Sequence, residues 1–366
     1  MNRVNLFLIS FFFLGIIQAQ DRPILQKQDP TIDPVTGDTL NRVSRKSTTN
    51  RNIKNLEAKI QDYKIISRAN DSVYLDTTLS VQKEFKFNYL RRDEFDILPF
   101  SNIGQTYNTL SYDFSGNGLM PKFAARARHF NYMEIDDINY YYVPTPLTEL
   151  MYKSGFEQGQ LLDAFFTVNT SEQFNFSIAY KGLRSLGKYQ HILTSTGNFR
   201  VTSNYKTKNN RYHARAHIVM QDLMNQENGG LRDEDLINFE SGNPEFIDRS
   251  VFDPQFEDAE NILIGKRFHL DHHYNIIQQK DSVKQNSLSI GNILSYSDKY
   301  FEYKQTTPNS IFGDAFETTI HEGVSLEDFY GEANATYSSN TLGHLKALIG
   351  YHNFNYGYDK LVVLDG

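Results

Sequence analysis

Between Gln158 and Met220 the chain alternates apolar and polar side chains with a period of two, over three successive stretches. Phe174, Phe176, Ile178 and Tyr180 oppose Gln173, Asn175, Ser177 and Lys181. Phe199, Val201 and Tyr205 oppose Arg200, Thr202, Asn204 and Lys206. Tyr212, Ala214, Ala216, Ile218 and Met220 then oppose His213, Arg215 and His217. Successive side chains of a β-strand point to opposite faces, so each stretch predicts a strand with one face fit for hydrocarbon and one for water. A soluble sandwich alternates too, but its apolar rows are mostly Val, Leu and Ile. Here rings cap the rows, as in Phe174 with Tyr180, Phe199 with Tyr205, and Phe268 with Tyr274. Rings at both ends of a strand suit the two interfaces of a bilayer. The pattern predicts an all-β fold, a transmembrane antiparallel β-barrel with a polar interior.

Composition supports that reading. The 366 residues include 23 Tyr and 27 Phe with no Trp, which is what aromatic girdles demand. A formal net charge of −7 argues against a nucleic-acid partner, since no basic run offers a phosphate-binding face. Cysteine is absent. This excludes disulfides, thiolate metal sites, a cysteine nucleophile and a lipid anchor on cysteine.

Arg3 precedes an apolar run from Leu6 to Ile17, and small Ala19 stands just before a polar start at Gln20. Residues 1–19 read as a cleaved secretory signal, too short to span a bilayer as a helix. Residues 20–62, with Pro23, Pro30 and Pro34, read as a polar periplasmic segment, partly disordered. Residues 63–366 read as the barrel domain. Five weak strands are expected at 63–78, 84–90, 105–112, 123–129 and 137–143. Eight stronger ones are expected at 158–167, 172–181, 198–207, 211–220, 262–277, 286–296, 324–337 and 342–358. Their connections alternate: 170–171, 208–210, 278–284 and 338–341 are short and polar, whereas 182–197, 221–261 and 297–323 are long. Short turns on one side and long loops on the other are the habit of outer-membrane barrels. The count is about 13, an odd number ending on a rising strand, so further C-terminal strands are expected to close the barrel.

Several segments resemble the putative porins of Bacteroidetes outer membranes. They are Pro99-Phe100-Ser101-Asn102-Ile103-Gly104-Gln105, Pro144-Thr145-Pro146-Leu147-Thr148-Glu149-Leu150 and Arg184-Ser185-Leu186-Gly187-Lys188-Tyr189. Lys208-Asn209-Asn210-Arg211-Tyr212 and Glu227-Asn228-Gly229-Gly230 follow in order, so the resemblance covers roughly Tyr63 to the end. It implies a channel in the outer membrane of a Gram-negative bacterium, passing small hydrophilic solutes or ions by diffusion. Lipid and solute are then the partners. Porins often assemble as homo-oligomers, but no interface is legible here.

The expected lumen-facing residues are Lys181, Arg200, Lys206, His213, Arg215, His217, His269, Asp271 and His273. A basic ladder from Lys181, Arg200, Lys206 and Arg215 across adjacent strands would set up a transverse field on passing solutes. His269, Asp271 and His273 share a strand face and are metal-ligand types. Along one strand His269 and His273 lie about 13 Å apart, so a polar lumen face is the better reading and no metal or cofactor is expected. The loop from Gln221 to Asn261 carries Asp233, Glu234, Asp235, Glu240, Asp248, Asp253, Glu257, Asp258 and Glu260. Its spacing lacks a regular calcium-ligand pattern and reads as a solvated loop. No nucleophile-elbow pattern or paired Asp and His at a strand end stands out, so no enzyme is expected. The alternatives are a surface binding or adhesion scaffold and a barrel-hosted hydrolase.

Overall fold

The computed structural model describes residues 57–366 apart from 79, 94, 112–122, 124–131, 156, 279–285, 314–318, 340–342, 359–361 and 366. The expected leader over 1–19, residues 20–56, and the strand at 123–129 save for Phe123 lie outside the described residues.

The described part of 57–143 forms short elements. They are β1 (Lys64–Ile66), β2 (Ser72–Tyr74), β3 (Ile97–Pro99), β4 (Tyr107–Thr109) and β5 (Tyr140–Tyr142). β1 sits between β2 and β5 in a small antiparallel sheet, and β3 pairs with β4. From Leu147 the strands lengthen: β6 (Leu147–Ser154), β7 (Gln160–Ser171), β8 (Phe174–Ser185), β9 (Thr194–Lys206) and β10 (Tyr212–Glu227). They continue as β11 (Ala259–Ile277), β12 (Ser287–Gln305), β13 (Ile320–Ser339), β14 (Gly343–Tyr358) and β15 (Val362–Asp365). These ten make one antiparallel sheet in which each strand pairs with the next along the chain. Among the described residues the sheet does not close, and β6 and β15 are its edges.

The alternation of short and long connections holds from β7 to β11 and weakens outside it, where the link 155–159 on the long side has five residues and 278–286 on the short side has nine. Residues 172–173 and 207–211 join strands on one side, and 186–193, 228–258 and 306–319 join them on the other. Two expectations change. The stretches at 63–78, 105–112 and 137–143 yield three-residue strands outside the large sheet, and 84–90 falls largely in a 3-10 segment, Val81–Phe87. Three residues span about 10 Å, far short of a bilayer crossing, so these segments find local partners instead. Conversely β6 goes beyond the expected strands, because Glu149 and Lys153 break its apolar run; they share one face while Leu150 and Tyr152 share the other.

Burial runs opposite to that of a soluble protein. On β10 Val219 and His217 are 0% and 1% exposed, whereas Ile218 between them is 41% exposed. The same holds across the sheet: Asn175, Ser177, Thr202 and Arg267 are buried, and Ile178, Tyr180, Phe199, Phe268 and Tyr274 are exposed. A sheet that buries its polar row and presents its apolar row has lipid as its outer solvent. Tyr205, Tyr212 and Tyr274 gather near the short turns, with Tyr205 and Tyr212 rings 6.2 Å apart. Phe268, Tyr296 and Phe329 register side by side nearer the long connections. One step further on the same face, Lys266, Asp298 and Glu327 pair across β11, β12 and β13, where apolar solvent must end. Further toward the long connections on the inner face, Leu223, Leu263 and Val324 join Phe123, Tyr132, Leu326 and Tyr356 in a buried apolar cluster.

Candidate functional site

The inner, polar face of the sheet is the surface on which charged side chains converge, and described residues between Ser67 and Tyr142 lie against it. All nine sequence candidates fall on this face, and most meet the N-terminal segment or each other. The Lys181 ammonium lies 4.6 Å from the centre of the Tyr89 ring, and Lys206 lies 4.9 Å from that of Tyr142. Arg200 Nη1 donates to Met133 Sδ at 3.5 Å. Arg215 donates to the Ser67 carbonyl at 2.8 Å and to Asp271 at 3.1 Å, with its guanidinium over Tyr140 at 5.4 Å. His213 stacks on His273 with ring centres 4.9 Å apart.

His217 and His269 stack 5.0 Å apart at the centre of the sheet. Arg267 Nε donates to His217 Nε2 at 3.2 Å. That nitrogen therefore carries no proton, and Nδ1–H donates to Tyr140 Oη at 2.9 Å. The His269 ring, 1% exposed, has no hydrogen-bond partner among the described residues. Asp271 is committed to Arg215, and among the described residues no three His, Asp or Glu side chains are grouped to hold a metal.

Two cations outside the sequence candidates complete the set. Arg267 donates from Nη2 to the Met133 carbonyl at 2.9 Å and approaches Glu134 at 3.6 Å. Lys299 reaches Glu134 at 2.6 Å and covers Tyr132 at 4.6 Å. Arg267 lies two residues before His269 on the same face, a signal present in the sequence; Lys299 falls in the expected loop 297–323, a stretch that β12 in fact enters. Backbone and amide contacts fix the same segment. Met133 N–H donates to Gln221 Oε1 at 3.0 Å, and Gln221 Nε2 returns a bond to the Met133 carbonyl at 3.1 Å. Asn102 donates to the Ser185 and Ile192 carbonyls at 3.1 and 2.7 Å. Arg91 pairs with Glu149 on β6. Burial pushes the Tyr132 phenol up to about 12, and also raises those of Tyr89 and Tyr140. These three rings are thus neutral and present a π face to the cations.

Space remains on both sides of this contact. A cavity of about 760 Å³ beside β6 and β7 is lined by Tyr63, Tyr141, Arg91, Arg200, Asp163 and Glu149 among others. A second, of about 430 Å³, opens near the short turns between Arg68, Asp136, Asp271, His273, Asn334 and Lys346. In the long acidic connection between β10 and β11 several carboxylates already have partners: Arg232 binds Glu257 at 2.7 Å, Asp248 accepts from Ser250 N at 3.0 Å, and Asp258 accepts from Thr307 N at 2.8 Å.

An antiparallel meander with an apolar exterior and a polar, charged interior defines a porin-like transmembrane β-barrel protein. The family model described as "Putative porin" matches residues 59–364, and the chain belongs to that family. Its place is therefore the outer membrane. None of the curated proteins matches the chain. Among solved structures, the ferric citrate transporter FecA in its unliganded form is similar at 9% identity and a TM-score of 0.29. The match covers 58% of this chain and 41% of that one, so the chain spans less than half the transporter's length.

Proposed function

We propose that the chain forms a channel for passive diffusion of small hydrophilic solutes or ions across the outer membrane of a Gram-negative bacterium. The observation that carries this reading is the charged, hydrogen-bonding inner face at the depth where the outer face is apolar, as at His217 beside Ile218. Water and polar solutes follow such a face because it replaces part of their hydration; no covalent chemistry and no cofactor enter. Liposomes carrying the folded protein should swell in isosmotic solutions of small neutral sugars and fail to swell above a size limit. Swelling no different from that of empty liposomes would overturn the proposal.

A surface binding scaffold is the second reading. Ile237 and Ile247 on the loop between β10 and β11 are 80% and 74% exposed, and large apolar groups held in water are a common mark of contact surfaces. Capture of a protein or glycan by that loop, together with a failure to swell liposomes, would favour it.

A further inference from the structure

Six cations share the inner face, Arg200, Lys206, Arg215 and Arg267 level with the apolar outer face and Lys181 and Lys299 just past its rim. Strand register orders them. Lys181 and Lys299 align with Asn198, Arg200 and Arg267 are level with one another, Arg215 pairs with Asn204, and Lys206 lies two residues further on. From the level of Asn198 to that of Lys206 is eight residues, roughly 26 Å along the strand. Carboxylates stand beside this ladder but most are engaged: Asp163 registers opposite Lys181 and pairs with Arg91 at 3.6 Å. Asp271 serves Arg215, and Glu134 serves Lys299 and Arg267. Lys181, Arg200 and Lys206 have no carboxylate within ion-pair distance among the described residues.

A tyrosine of the N-terminal segment meets four of these cations, and two of the four, Arg215 and Lys299, also hold a carboxylate. Lys181 faces Tyr89, Lys299 faces Tyr132, Arg215 faces Tyr140, and Lys206 faces Tyr142. Neutral rings hold a cation more weakly than a carboxylate does. At Lys181 and Lys206 the charge is thereby covered but not cancelled. Arg200 also lines the 760 Å³ cavity, which is room for a small ion with part of its water.

We propose that these lumenal cations are a binding path for small anions, and that Tyr89, Tyr132, Tyr140 and Tyr142 of the N-terminal segment occupy the path at rest. The proposal rests on the diffusion reading and names the solute class and the shutter of that same lumen. An anion displaces a tyrosine ring readily because it offers the ammonium or guanidinium a full charge in exchange for a quadrupole. The acidic outer loop acts against this preference, so the sign of selectivity discriminates between the two.

The test is single-channel recording of the full chain in planar bilayers under a KCl gradient, with chloride as the probe anion. A variant carrying Tyr89→Ala, Tyr132→Ala, Tyr140→Ala and Tyr142→Ala should conduct for a larger fraction of the time than the parent, with a reversal potential on the chloride side. Adding Lys181→Gln, Arg200→Gln and Lys206→Gln should move that potential toward potassium. The chain has no cysteine, so Asn102→Cys with Ser185→Cys makes a clean lock, the two side chains being 2.7 Å apart through Ser185 Oγ and Asn102 Oδ1. Oxidation of the lock should suppress conductance and reduction restore it, in a protein whose fold is otherwise intact. Conduction that prefers potassium, or that ignores both lock and tyrosines, overturns this proposal and leaves the diffusion reading standing. Silence of every variant, with no liposome swelling, overturns both.

Discussion

Gly265 on β11 lies directly beneath the phenol of Tyr132: a methyl group at that glycine would fall 2.1 Å from Oη. The wall of the sheet is thus shaped to the segment it encloses. Gly265→Ala fits a strand but collides with the ring, so it should cost about 1–3 kcal/mol of overpacking and lift residues 132–143 off the wall. Limited proteolysis should show cleavage in that segment with the long strands still protected; an unchanged digestion pattern would contradict the fit.

The outward face can be tested where it is most lipid-like. Ile218→Arg should destabilise the folded barrel by about 2–4 kcal/mol near the midplane, read from urea unfolding in vesicles. An unchanged midpoint would mean that Ile218 does not face lipid. For the neighbouring His217→Arg, alternation alone predicts tolerance, as for any change on a watery lumen face. With Arg267 at 3.2 Å and Tyr140 at 2.9 Å, a second guanidinium there meets like charge and loses a buried bond, so it too should destabilise.

Glu134 holds two cations of the wall, Lys299 at 2.6 Å and Arg267 at 3.6 Å. Glu134→Gln strands both. Breaking a fully buried pair costs about 3–5 kcal/mol, but the Glu134 side chain is 46% exposed, so about 1–2 kcal/mol is expected. Hydrogen exchange at Met133 and its neighbours should quicken accordingly, and exchange rates equal to the parent's would show that the ion pairs carry no load.

Lys83, then Thr78, holds the Asp76 carboxyl below the usual carboxylate range through hydrogen bonds. A carboxyl with a depressed folded value contributes stability that is present above its unfolded value, about 3.9, and is lost as pH falls through the depressed one. Local order of residues 72–87 should therefore be flat from neutral pH to about 5 and weaken below about 4. Asp76→Asn should remove that acid dependence; hydrogen exchange of the segment at graded pH decides.

Millimolar calcium should leave the thermal midpoint unchanged. Glu257, Asp248 and Asp258 already serve Arg232, Ser250 and the Thr307 amide, and a ligand at 100 times its dissociation constant would add about 2.7 kcal/mol. A calcium-dependent rise would reveal a site assembled from the acidic loop.

The strands and their facing were legible because period two sustained over ten or more residues matches the pleat of a strand and no other regular backbone. Phe174 through Tyr180 and Tyr212 through Met220 behave as their alternation predicts. Tyr140–Tyr142 also forms a strand, but three residues fit a barrel wall and a small internal sheet equally well; its pairing with Lys64–Ile66, not its own sequence, decides. The role of the segment was invisible for a related reason. Tyr140 and His217 stand 77 residues apart, and no local pattern announces that a phenol will meet that imidazole. Lys299 is hidden by a boundary, since Asp298 facing outward reads as loop until one sees that β12 has already left the hydrocarbon there.

That exit has a physical sequel. Seven residues of β11, 259–265, run on beyond Lys266 before the chain turns, so the wall rises like a turret roughly 20 Å above the level where lipid ends. Fixed charges on headgroups are screened within about 8–10 Å in physiological salt. An ion arriving at the rim therefore feels the protein's own charges first and the membrane's hardly at all, which makes entry insensitive to the lipid composition of the leaflet below.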